Sequence, residues 1–150
     1  MALSPELSES GGFPLDTLSP FQASEPRTLL VRAKATDLVN NPVTEIAILP
    51  LREDLANADI ERLSKASATF GNALLAAPAP VAYEGKMALT YKSGWAAGEP
   101  KNRLVMMIGW REVQNHLDAA KTVVFVDNLK PISDVVAADL NVTHYQFRGL

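Results

Sequence analysis

Only two side chains in this 150-residue chain, His116 and His144, have an ordinary titration point close to neutral pH. His116 lies in the segment GWREVQNHLDAAKT, three residues after Val113, one before Leu117 and four before Ala120. That spacing puts the imidazole on the apolar stripe of a helix, turned toward whatever the helix packs on. There it serves either as a general acid or base or as a hydrogen-bonded core imidazole. His144, in NVTHYQF, shares a strand face with Val142 and Gln146, away from Thr143, Tyr145 and Phe147. It reads equally as a proton-transfer group and as an edge-strand residue pairing across a sheet. The two histidines, with Asp118 nearby, match no recognised ligand spacing, so no metal site is assigned.

A third catalytic candidate is Tyr83, which alternates with Met87 and Tyr91 along one face of the run Val81–Tyr91. Phenols on a pocket-facing strand donate hydrogen bonds or relay protons; otherwise they pack across strands with the hydroxyl in water. Trp110, Tyr91, Asn72, Phe70, Met87 and Met106 are the candidate substrate-binding residues, mostly flat or flexible apolar walls suited to an apolar ligand. Trp95, between Gly94 and Ala96, reads as a loop residue able to act as a lid. Glu45 interrupts an otherwise apolar strand, where an unpaired carboxylate is costly. It is therefore either a site carboxylate or an acid paired across a subunit interface.

Composition narrows the chemistry. Net charge is −3 and no Lys/Arg cluster is present, which argues against nucleic-acid and anionic-membrane partners. There are no cysteines, hence no thiolate nucleophile, disulfide or Cys-ligated metal. Phosphate-binding glycine motifs and the G-x-S-x-G elbow are absent, and nothing points to a nucleotide or flavin. The first ten residues lack the basic start and apolar core of a secretory peptide, and the longest apolar run is far shorter than a membrane span. The expectation is a cytoplasmic protein without a cofactor.

Residues 1–41 read as an N-terminal arm, rich in Pro and Ser yet carrying Phe13, Leu15, Leu18 and Phe21. A short element within 28–39 is expected, and residues 42–150 form the domain. A strand is expected over Val43–Leu51, then a helix capped by Asn57, with Ile60, Leu63, Ser67, Phe70 and Leu74 on one stripe. Pro78 and Pro80 stop it. Strands follow over Val81–Tyr91 and Arg103–Trp110, then a helix over Arg111–Lys121. Pro131 divides the next segment into two short helical pieces, and Asn141–Phe147 closes as a strand. The order β-α-β-β-α-β specifies the ferredoxin-like α+β class, with the first and third strands central. Both central strands are apolar on two faces, which calls for a cover on the side away from the helices. A second copy of the sheet supplies it most simply.

The segments PVTEIAILPL, GWREVQNHLDAAKT, LKPI and VTHYQF resemble the dimeric α/β-barrel proteins, and within them the fungal branch of the antibiotic-biosynthesis-monooxygenase-like group. The matching positions are Gly109, Trp110, His116, Leu129, Lys130, Pro131, His144, Gln146 and Phe147. Arg111 stands where the family usually has an acid or serine. The resemblance implies a homodimer with a pocket between sheet and helices in each protomer. It also implies a secondary-metabolism enzyme that cyclises, isomerises or rearranges an apolar polyketide, terpenoid or alkaloid-type molecule without a cofactor. A cofactor-free monooxygenase acting on a phenol and a non-catalytic, hydrophobe-binding or stress-response barrel are the alternatives, since fold alone does not set function.

Overall fold

The computed structural model describes residues 40–96, 102–137 and 141–147. The described residues hold strands β1 (Val43–Pro50), β2 (Thr90–Trp95), β3 (Arg103–Trp110) and β4 (Asn141–Tyr145) and helices α1 (Asn57–Ala76), α2 (Val113–Ala119) and α3 (Val123–Ser133), in the order β1-α1-β2-β3-α2-α3-β4. All pairings are antiparallel and the sheet order is β2-β3-β1-β4. The first and third strands are thus central, as the apolar patterning of both faces requires. The aromatic arm residues and the element expected over 28–39 lie outside the described residues.

Helix α1 buries Leu63, Ser67, Phe70 and Leu74 of the expected stripe together with Gly71, while Ile60 at its start is half-buried. Its start differs from expectation. Asn57 is the first helical residue, and Ala56 occupies the cap position without a side-chain bond. Helices α1 and α3 pack on each other over the sheet. The core between the layers includes Leu49, Leu63, Phe70, Leu74, Leu104, Ile108 and Trp110. Phe70 meets Tyr91 and Phe125 edge-on, with ring centroids 6.0 and 5.1 Å apart. On the opposite face, Val105 and Met107 are buried and Ile46 and Ile48 half-buried.

Gly71 lets α1 approach β2 closely, because a Cβ there would overlap the Tyr91 ring. That ring cannot swing away freely: Phe70 flanks it and its hydroxyl bonds Ser67 at 2.7 Å. Gly71→Ala is expected to destabilise the fold by about 1–3 kcal/mol through overpacking, despite alanine's better helix propensity. A thermal melt matching the parent would show that the layers can separate without cost.

Residues 81–89 correct the sequence reading. They form a compact loop in place of a strand, with the Ala79 amide donating to the Gly85 carbonyl at 2.8 Å and the Met87 amide to Ala77 at 2.9 Å. Gly85 has φ +84°, the left-handed region open to glycine, so the chain reverses where alternation alone continues it. Val81 is fully exposed, whereas Met87 and Ala88 are buried. The strand proper starts at Thr90 and runs through Trp95, which is therefore no loop residue.

Two further corrections concern the second helical region. Val113 and Leu117 are exposed at 40% and 46%, while Asn115 and Ala119 are buried. The helix is rotated because Asn115 anchors it: its carboxamide oxygen accepts from the Arg111 amide and guanidinium, and its nitrogen donates to the Met87 carbonyl. Downstream, α3 is one helix with Pro131 inside it. Pro131 sits in the last turn, where losing one amide costs a single bond just before the helix ends. Thr122 caps its start by accepting from the Phe125 amide.

Candidate functional site

The histidines meet. Nδ1 of His116 lies 2.8 Å from Nε2 of His144 and 3.4 Å from Oε2 of Glu45. Glu45 and His144 stand directly opposite each other in the β1–β4 ladder, on the helix-facing side. Trp110 is diagonal to Glu45 across the β1–β3 ladder, where Val43 faces Trp110 and Glu45 faces Ile108. From there its indole N–H donates to Oε2 of Glu45 at 2.6 Å. His116 descends from α2 and stacks on the Trp110 ring, centroids 5.0 Å apart and planes 18° from parallel. Phe125 of α3 closes a third side, 5.9 Å from the His116 ring.

Electrostatics follow from burial. Desolvation raises the Glu45 carboxyl to about 7, against the lowering effect of the Trp110 hydrogen bond. Desolvation also lowers His116 to about 4, helped by the neighbouring His144, and His144 itself is lowered by burial. Both imidazoles are therefore neutral at pH 7, and Glu45 exchanges its proton readily at that pH. One nitrogen of the 2.8 Å His–His contact must carry hydrogen and the other a lone pair. The three groups thus run from a buried carboxyl, through His116, to the half-buried edge-strand imidazole of His144.

Tyr83 lies apart, on the 81–89 loop, its hydroxyl donating to Glu112 at 2.7 Å. That bond pushes its phenol up to about 12. Tyr91 donates to or accepts from Ser67, and burial raises it. Asn72 is exposed on α1. Phe70, Met87 and Met106 belong to the core cluster. Asp118 bonds Gln114 and Lys121 on the surface, so Glu45, one reading of which was a site carboxylate, is the acid that joins the histidines. Its mark in the sequence was a carboxylate placed in a strand apolar on both faces. Trp95, at the end of β2, donates to Ser64 at 3.0 Å.

Beside the cluster, Phe125, Val126 and Leu129 line a cleft of roughly 340 Å³, with Lys130 and Asp134 among its polar lining residues. It is open to solvent, and Glu45, His116 and His144 are not among its lining residues. Phe125 is shared between the cleft and the histidine cluster.

No family model matches the chain, and no curated protein matches it. Solved structures do. An antibiotic-biosynthesis-monooxygenase-like protein from Bordetella bronchiseptica aligns with TM-score 0.55 at 17% identity, over 71% of this chain and 96% of that one. A structure described as an antibiotic biosynthesis monooxygenase aligns with TM-score 0.55 at 13% identity, over 71% and 99%. A dimeric ferredoxin-like protein of unknown function from Thermobifida fusca gives TM-score 0.51 at 13% identity, over 70% and 90%. The chain has a ferredoxin-like fold. With the sheet order β2-β3-β1-β4, that fold places Glu45 at the centre of the sheet and His144 on its edge. Among the described residues, no helix of this ferredoxin-like chain is long and apolar enough to cross a membrane.

Proposed function

We propose that this protein is an acid–base enzyme of secondary metabolism that moves a proton on a small apolar molecule, using Glu45, His116 and His144 as one relay. The observation that carries this reading is the 2.8 Å imidazole pair set against a buried carboxyl. Unlike an ordinary core histidine bonded to a carbonyl, this group can pass a proton through three titratable side chains. The adjoining cleft is apolar along Phe125, Val126 and Leu129, which suits a hydrophobic substrate. Cyclisation, isomerisation or rearrangement of an enolisable polyketide or terpenoid intermediate is the chemistry such a relay serves, with no nucleotide, flavin or haem. A second reading, favoured by the monooxygenase descriptions of the fold relatives, has the same base form a phenolate or enolate that reacts directly with dioxygen.

Deuterium wash-in measured by NMR tests both readings on a panel of apolar phenols and 1,3-dicarbonyl compounds. Enzyme-dependent exchange supports the relay, and oxygen uptake coupled to it supports the second reading. A panel showing neither would leave a ligand-binding barrel.

The assembly reading is a homodimer closed sheet to sheet. It is supported by the apolar face away from the helices, where Ile46 and Ile48 stay half-buried in one chain beside the buried Val105 and Met107. The Thermobifida fusca relative is described as dimeric. Sedimentation at micromolar concentration is expected to give twice the 16.2 kDa chain mass. A stable monomer would end this reading.

A further inference from the structure

Glu45, His116 and His144 each offer one ligand atom, and the three atoms all lie within 4.8 Å of one another. We propose that these three side chains form a binding site for a divalent first-row transition ion of the Zn²⁺ type. The spacing is close to what such an ion needs. Bonds of about 2.0–2.2 Å in a tetrahedral array put neighbouring ligand atoms roughly 3.3 Å apart. Here the His116–Glu45 separation is 3.4 Å and the His116–His144 separation 2.8 Å. A displacement of a few tenths of an ångström in one imidazole opens the shared contact enough to admit the ion.

The ligand types fit one class of metal. Two imidazole nitrogens and one carboxylate oxygen suit zinc, iron(II), cobalt(II) or manganese(II), whereas calcium and magnesium prefer all-oxygen shells. Three protein ligands leave at least one position for water or a ligand atom.

The surroundings are those of a supported site. Glu45 and His144 come from directly paired positions on adjacent strands, so their separation is set by the ladder. The indole N–H of Trp110 holds the Glu45 carboxylate, and the Trp110 ring fixes the plane of His116. Outer-shell contacts of this kind orient ligands before the metal arrives. Glu45–His116–His144 is the one cluster of three possible ligands among the described residues.

The inference stands apart from the proton-transfer reading, because an ion on these atoms takes up the lone pairs that the relay uses, and its test needs no substrate. Chelator-stripped protein is titrated with Co²⁺, followed by visible d–d absorption, and with Zn²⁺ by calorimetry. One ion per chain with a micromolar or tighter Kd is expected. Glu45→Gln and His144→Gln are each expected to weaken it at least about tenfold. The chain's two histidines give a readout on the unaltered protein: both imidazole ¹⁵N pairs shift on saturation with Zn²⁺. Absence of saturable binding, unmoved imidazole resonances, or equal affinity in folded variants would each overturn the site.

Discussion

Replacing His116 with alanine is expected to lower turnover on any substrate found in the exchange screen about 10²–10⁴-fold, while the protein stays folded. His116 is the middle member of the relay, reaching both Glu45 at 3.4 Å and His144 at 2.8 Å through one nitrogen. Without it, Glu45 and His144 lose the imidazole that contacts both. His116→Gln keeps a hydrogen-bonding side chain but no basic nitrogen, and should be nearly as damaging. Groups that act as a unit lose activity once, not repeatedly. The double variant with Glu45→Gln should therefore be little worse than either single change. A core imidazole would give the opposite pattern, lower stability with full specific activity in the folded fraction. A loss under tenfold would assign catalysis to the shape of the cleft and its aromatic wall.

The second large effect is on stability against pH, measured by denaturant unfolding in chelator-treated buffer. Glu45 titrates at about 7 in the fold against 4.5 in the unfolded chain. Between those values the unfolded state has lost its proton and the folded state has kept it, so stability falls as pH rises from 4.5 to 7. The shift corresponds to roughly 3 kcal/mol. His116 works in the other direction. It titrates at about 4 in the fold against 6.5 unfolded, so stability falls as pH drops from 6.5 to 4. The lowered His144 adds to this acid-side loss. The opposed slopes offset one another in the parent protein. Glu45→Gln should expose the acid-side loss, and His116→Gln should expose the decline toward pH 7. Parallel profiles for all three proteins would mean that neither group is held away from its ordinary titration point.

The architecture was legible because it depends on local periodicity. The two-faced apolar runs of β1 and β3, the three-and-four spacing of Leu63, Ser67, Phe70 and Leu74, and the order of elements each record what is buried. The sheet order follows from which strands are apolar on two sides. Periodicity misread 81–89 because Met87 and Ala88 are buried in a loop as thoroughly as in a strand, and the reversal at Gly85 leaves no alternating mark. It misread α2 because a buried Asn115, stabilised by Arg111 and a distant carbonyl, turned the helix away from its apolar stripe.

The site divides in the same way. The sequence identified His116, His144 and Trp110 as chemical candidates, and it marked Glu45 as an acid in a costly place. Only the tertiary structure brought the four together. Register set Glu45 opposite His144, the diagonal step brought in Trp110, and the rotation of α2 aimed His116 at all three. These are contacts between residues far apart in the chain, set by strand pairing and helix packing. No spacing along the sequence encodes them.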